Sequence, residues 1–306
     1  MTDETDRDRG LRQHRRTLFD GAAGLYQRTR PGYSDSIVRS IADTAGLGAG
    51  ADVLELGCGT GQLTERLARA GFSVTAIDIG SSMIAVARSF LDDLPISLQV
   101  SSYEDFAAAD ASFDLIVSAA AFHWIDPEVK YAKSARLLRP GGWLAVLDGG
   151  ETYDEPFGTR YHQMWVARSA DGEAWVKRQQ SARSFDGSTL FGSPVEMTEM
   201  EADVRPVEDI VGVESTRAIS LAWPHDERRA FADEIRRHLR GTSEVRLTRE
   251  TTVTMAQVRL SVPEVHRPEP AVGFAAMEIL TEAPVAGNYV DTLLGSLEQQ
   301  RRQVGQ

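Results

Sequence analysis

The residues with the clearest chemical potential lie in VLELGCGTGQLTERLA, residues 53–68. An apolar run enters a turn with glycines at Gly57, Gly59 and Gly61, and a helical period follows. Alternating glycines let backbone approach a ligand closely, and the helix start offers free N–H groups. A dinucleotide fingerprint, G-x-G-x-x-G, would put its third glycine where this chain has Gln62, and no Gly-Lys-Ser/Thr follows as a phosphate loop needs. The pattern therefore reads as a nucleotide-type site without the pyrophosphate signature; a plain tight turn is the simpler alternative. The next apolar run, VTAID, ends in Asp78. A carboxylate at that strand tip faces the same crevice and can accept bonds from two ribose hydroxyls, or it can cap the following helix.

A third chemical candidate is His123, in AAAFHWID just past a later strand. A neutral imidazole there can take a proton from a nucleophile; lining the pocket or bonding the backbone are the competing roles. Cys58, inside the loop, serves as a small apolar filler. The other five histidines are scattered and make no metal-ligand pattern, and no G-x-S-x-G elbow supports a serine triad.

These residues need elements to hold them. Short apolar runs at 53–56, 74–78, 96–100, 113–118 and 143–148 alternate with helical periods at 61–70, 81–91 and 127–138. That rhythm predicts an α/β fold, a Rossmann-like doubly wound and mostly parallel sheet. Upstream, helices are expected over Leu18–Arg30 and from Ser34 to Ala45, with Ser34 as N-cap and Gly46 at the end. Residues 1–17 are polar and expected to fray. Residues 149–205 carry Tyr153, Phe157, Tyr161, Trp165, Trp175, Phe185 and Phe191 and read as helix and loop, a substrate cap inserted after the fifth strand. Residues 206–260 complete the sheet through an antiparallel strand at 249–260. Pro263, Pro268 and Pro270 open a linker, and Val290, Leu293, Leu294 and Leu297 have helical spacing in a tail that docks on the core, makes a homodimer contact or forms a substrate lid.

ELGCGTGQLT, the Ile-Asp at the second strand end, SFDLIVSAAAFHWID and RLLRPGGWLAVLD together resemble a class I S-adenosylmethionine-dependent methyltransferase. The closest likeness is to the small-molecule group that includes trans-aconitate methyltransferase-like enzymes, and FDGAAGLYQRTRPGY resembles that group's lead-in. The resemblance implies S-adenosylmethionine as cofactor and S-adenosylhomocysteine as product. It implies that Glu55, Gly57, Cys58, Gly59, Gly61 and Gln62 hold the methionine portion, that Asp78 binds the ribose, and that Ile79 and Met83 flank the adenine. Ser102 stands where the family often has an acid for the adenine amine, which leaves the Tyr103 N–H as the expected contact. Ser118 lies beneath the sulfonium, and Tyr26 and Arg30 reach the cofactor carboxylate from an N-terminal lid.

The whole chain, 306 residues, is 42% hydrophobic and 25% charged, an ordinary globular composition. Forty-five acidic against 33 basic residues give a net charge of -12, which counts against nucleic acid or an anionic membrane as partner. One cysteine excludes an internal disulfide framework, so a cytoplasmic setting is expected. The expected activity is transfer of a methyl group to O, N or C of a small organic molecule such as a secondary metabolite. A cofactor-binding regulator, a cofactor-assisted cyclase, and a nucleic-acid or protein methyltransferase are the rival readings.

Overall fold

The computed structural model describes residues 6–168, 185 and 189–259. Trp175 and the tail expected to dock or dimerise lie outside these residues.

In chain order the elements are α1 (Asp6–Thr17), a 3-10 turn (Asp20–Ala22), α2 (Ala23–Thr29), α3 (Asp35–Ala45), β1 (Asp52–Leu56), α4 (Gln62–Arg69), β2 (Ser73–Asp78), α5 (Ser81–Phe90), β3 (Ile96–Val100), β4 (Phe113–Ala119), a 3-10 turn (Phe122–Trp124), α6 (Pro127–Leu137), β5 (Leu138–Tyr153), α7 (Phe157–Arg168), β6 (Val195–Pro206), α8 (Val207–Ser215), α9 (Ala218–Leu221), α10 (His225–His238) and β7 (Glu244–Gln257). They form one seven-stranded sheet in the order β3-β2-β1-β4-β5-β7-β6. The first five strands are parallel, and β7 runs antiparallel to both its neighbours. This is the predicted Rossmann-like architecture with its late antiparallel strand.

Adjacent residues of the central strands point into separate cores. Val53 packs with Ile41, Leu63 and Leu67 on one face, and Leu54 packs with Ile116, Leu137 and Phe122 on the other. Burial on both faces explains the uninterrupted apolar runs. The caps follow local chemistry. Ser34 Oγ accepts the Ile37 N–H at 3.1 Å, Gly46 closes α3 in the left-handed region, and Pro127 opens α6.

Three expectations change. Residues 6–17 form α1 rather than a frayed end. Its one large apolar residue, Leu11, is exposed, but tertiary contacts fix the helix: Arg12 Nη1 donates to the Trp124 carbonyl at 2.9 Å and Arg16 Nη1 to Glu104 Oε1 at 2.9 Å. The helix expected over Leu18–Arg30 is broken into a 3-10 turn and α2. Residues 149–205 are not all helix and loop. β5 runs on to Tyr153, and 195–206 form edge strand β6, which pairs with β7 along its whole length. Its sequence, VEMTEMEADVRP, lacks apolar alternation because most of the strand is exposed. Backbone pairing defines it, so no periodicity announces it. Tyr153, Phe157, Tyr161 and Trp165 join Ile210 and Phe231 in a third core cluster, so those aromatics pack the interior.

Candidate active site

In parallel register, Leu56 pairs with Ile77 and Glu55 with Val117. The loop after β1 therefore meets the tip of β2 on one side and the end of β4 on the other. In an open α/β sheet the crevice outside the strand ends, at the switch between β1 and β4, is where ligands bind.

The glycine loop is bound tightly to its neighbours. The Gly57 and Cys58 N–H groups donate to the Ile77 carbonyl at 2.8 and 3.0 Å. Gly57, Gly59 and Gly61 all have positive φ (68°, 57° and 93°), a region that favours glycine. Their surroundings differ. A Cβ on Gly57 would lie 2.4 Å from Ala121 Cβ, and one on Gly61 2.5 Å from Leu91 Cδ1. A Cβ on Gly59 would meet only Tyr26 Cε1, at 3.8 Å. Two of the glycines thus serve internal packing, and Gly59 borders open space.

Asp78 Oδ2 accepts the Gly59 N–H at 2.9 Å and Oδ1 the Gly80 N–H at 2.8 Å. Burial pushes its carboxyl up, and those two backbone donors oppose the rise. Asp78 does not cap α5. That task falls to Asp20: its Oδ1 accepts from the Ser82 and Met83 N–H groups at 2.7 and 3.2 Å. A cap supplied from 62 residues away leaves no local signature.

Two cavities meet at the loop and share Tyr26, Gly57, Gly59, Ala119 and Ala120. The first, of about 720 Å³, is lined by Leu56, Ile77, Asp78, Ile79, Met83, Tyr103, Glu104 and Trp124, under Arg16 and Phe19. The second, of about 900 Å³, mixes apolar wall with charged and polar groups, among them Arg30, Tyr33, Glu55, Gln62, Asp148, Glu151, Arg217 and Glu250, with Cys58 beside them. Ala120, at their junction, has φ 51°, a backbone strain that recurs at functional sites.

Glu55 is buried, and Thr64 Oγ1 donates to its Oε2 at 2.6 Å. Burial pushes its carboxyl up to about 8; the Thr64 bond works against this and Asp78 adds to it. Burial likewise raises the Cys58 thiol, in keeping with a filler. Gln62 Nε2 donates to Thr60 Oγ1 at 2.7 Å and to Gln27 Oε1 at 3.2 Å, tying the loop to α2. Arg30 lies over the Tyr26 ring, 5.0 Å from its centroid, and donates through Nη2 to the Thr216 carbonyl at 3.0 Å. Arg217 donates to both Glu214 oxygens at 3.0 and 2.8 Å. Burial disfavours the charge of Glu151, yet Arg217 and Arg205 hold its carboxyl below the usual range.

Four predicted residues line neither cavity: Gly61, which packs on Leu91, and Ser118, Ser102 and His123. Ser118 is fully buried and donates to the Leu56 carbonyl at 2.9 Å, so it ties β4 to β1. Ser102 Oγ bonds Asp105 Oδ2 at 2.6 Å and borders neither cavity; Glu104 does instead. His123 sits in the turn after β4 with its ring 4.5 Å from that of Trp124, and only Trp124 lines a cavity. Beyond Glu151, no described residue of 152–205 lines either cavity. Lys133 escaped the sequence reading: its Nζ donates to the carbonyls of Tyr103, Glu104 and Phe106 at 2.6, 3.0 and 2.6 Å, clamping the loop after β3.

The site can be set beside known proteins. Residues 54–146 match a family model described as a methyltransferase domain. An uncharacterized methyltransferase of Mycobacterium tuberculosis is 37% identical over 140 residues, 46% of this chain and 54% of that protein. A ubiquinone biosynthesis O-methyltransferase of Xanthomonas oryzae pv. oryzae is 42% identical over 151 residues, 43% of this chain and 63% of that protein. The chain thus spans between half and two thirds of the length of these curated relatives. A solved structure from Anaeromyxobacter dehalogenans, provisionally assigned as a type II methyltransferase, superposes with a TM-score of 0.54 at 25% identity, covering 75% of this chain and 98% of that one. Residues 54–146 are thus similar to methyltransferase domains, in a sheet of Rossmann-like architecture.

Proposed function

We propose that the protein transfers a methyl group from S-adenosylmethionine to an oxygen, nitrogen or carbon of a small organic molecule, with S-adenosylhomocysteine as the product. The observation that carries this reading is the Gly59–Asp78 hydrogen bond at the junction of two cavities, one mainly apolar and one evenly mixed. The residues present fit the cofactor. Asp78 keeps one lone pair on each oxygen for ribose hydroxyls. Ile79, Met83 and Trp124 offer apolar walls for the adenine, and the space beside Gly59 would be narrowed by any side chain there.

When bound, the cofactor supplies a methyl group on a cationic sulfur, so the protein's main tasks are alignment and exclusion of water. Phe19 and Tyr26, edge to face at 6.2 Å, cover the cleft from the N-terminal side. Glu55 braces α4 through Thr64 and, with its carboxyl near 8, is mostly uncharged at neutral pH. Arg30 is held by Thr216 and Tyr26 beside the second cavity, placed for the cofactor's carboxylate. Asp148, Glu250 and Tyr33 line the acceptor side, where a carboxylate can take the nucleophile's proton. The cytoplasm is the proposed compartment, and a lone buried cysteine suits its reducing conditions.

Two relatives that are named O-methyltransferases make hydroxyl and carboxyl acceptors the first to test. Incubation with cofactor labelled at the methyl group and a metabolite library should yield a labelled small molecule. Tight binding of S-adenosylhomocysteine with no labelled product across the library would favour a binding protein instead.

A further inference from the structure

We propose that Arg217 and Glu151, neighbours on the wall of the second cavity, together read a hydroxyl group on the methyl acceptor, and that their opposite charges turn away both acids and amines, so that the acceptor is an uncharged hydroxylated molecule. This rests on the S-adenosylmethionine reading above and narrows its acceptor class.

Glu151 reaches the cavity from the far end of β5, and Arg217 from the link between α8 and α9. Arg217 Nη2 stands 3.7 Å from Glu151 Oε2, beyond the ~3.2 Å reach of a direct N–H···O bond. A hydroxyl oxygen set between them comes within reach of both, accepting from the guanidinium and donating to the carboxylate. Each partner is fixed from behind. Glu214 accepts from Arg217 Nε through both oxygens, at 3.0 and 2.8 Å, and neither terminal nitrogen of Arg217 has a hydrogen-bond acceptor among the described residues. Arg205 Nη1 donates to Glu151 Oε1 at 2.7 Å, and the Tyr153 hydroxyl lies 3.3 Å from both Glu151 Oε2 and Glu214 Oε1.

Charge makes the selection. Burial disfavours the Glu151 carboxylate, but Arg217 and Arg205 hold it below the usual range, so it is ionised at neutral pH. Arg217 is a permanent cation. An acceptor carboxylate bonded to Arg217 would lie against Glu151, and an ammonium bonded to Glu151 would lie against Arg217 and Arg205. Like charges in such contact are strongly disfavoured. A hydroxyl has no net charge and carries both a donor and an acceptor, which is what the pair calls for. The other arginines on this cavity do not shift the balance. Arg30 is placed for the cofactor, and Arg249, opposite Glu151 in the β5–β7 register, donates to the Gly32 carbonyl at 3.0 Å and pairs with Glu201.

The test uses three probes of one ring size, catechol, benzoate and benzylamine, on protein loaded with S-adenosylhomocysteine, with dissociation constants from ligand-observed NMR titrations. Wild type should bind catechol at least about tenfold more tightly than either charged probe. Glu151→Gln removes the negative charge and keeps a carbonyl acceptor, so benzoate should gain about tenfold. Arg217→Gln removes the positive charge, so benzylamine should gain by a similar factor. Loosened packing would not produce opposite gains in the two variants, and S-adenosylhomocysteine affinity shows that each is folded. Should Glu151→Gln fail to fold, Arg217→Gln carries the test, since Arg217 is the more exposed of the two. Wild type that prefers benzoate or benzylamine, wild type that binds none of the three, or a folded variant with unchanged charge preference would overturn the proposal. Failure of S-adenosylhomocysteine itself to bind wild type would instead remove the cofactor reading, and this proposal with it.

Discussion

The Gly59 N–H donates to Asp78 Oδ2 at 2.9 Å, so the residue expected to grip the ribose also holds the loop that approaches the rest of the cofactor. A strand tip and a glycine turn 19 residues apart in sequence act as one unit. Asp78→Ala should therefore do two things. Affinity for S-adenosylhomocysteine should fall by about 1.5–3 kcal/mol through loss of charge-assisted bonds, and the melting temperature should fall too, because two backbone donors lose their acceptor. Calorimetry alongside a thermal melt checks both; an unchanged melt with weakened binding would mean the loop does not need its anchor.

The three loop glycines share positive φ but not their surroundings, which makes alanine a clean probe. Each substitution carries the same left-handed strain of roughly 1–2 kcal/mol. Gly57→Ala and Gly61→Ala add a clash that Gly59→Ala lacks, worth about 1–3 kcal/mol more. Urea denaturation should rank Gly59→Ala as the mildest. Gly59→Val should remain folded and lose cofactor binding, measurable by equilibrium dialysis.

Asp20 caps α5 from outside the helix. Asp20→Ala should lower stability by about 0.5–2 kcal/mol, the usual value of an N-cap, and Asp20→Asn should recover most of it. A denaturation midpoint identical to wild type for the alanine variant would show the cap to be idle.

Burial raises the Glu55 carboxyl from its ordinary range to about 8. The folded state then binds a proton that the unfolded chain has already released between about pH 4.5 and 8. Stability from this group is full below the lower value and declines as pH rises through the upper one. Glu55→Gln keeps an acceptor for Thr64 and cannot ionise. Its melting temperature relative to wild type should climb between pH 5 and 8.5; a constant difference would place the Glu55 carboxyl in the ordinary range.

His123 stands behind Trp124 and outside both cavities. His123→Ala should weaken cofactor binding modestly by loosening Trp124 and leave the pH profile of methylation unchanged. A general base would cost about 10²- to 10⁴-fold and reshape that profile. Single-turnover rates at saturating acceptor, from pH 5.5 to 8.5, distinguish the two.

The parallel core was legible because local chemistry dictates it. Val53 and Leu54 must both be apolar when the sheet is covered on each face, Ser34 and Gly46 are caps whose partners lie within one helical turn, and Pro127 is a first-turn proline. The glycine loop and Asp78 were legible for the same reason, since strand tip, turn and helix start are contiguous. Tertiary structure alone decided the rest. Edge strand β6 exists through backbone pairing with β7, which side-chain pattern does not encode when one face is exposed and the other is covered largely through polar residues such as Glu199, Asp203 and Arg205. α1 is ordered by Arg16 on Glu104 and Arg12 on Trp124, contacts 88 and 112 residues distant. Ser118 and His123 carry the right chemistry at the right strand end, yet one side chain is spent on the Leu56 carbonyl and the other turns against Trp124. A strand end specifies where a residue stands. The packing of neighbours distant in sequence decides whether its side chain meets the ligand.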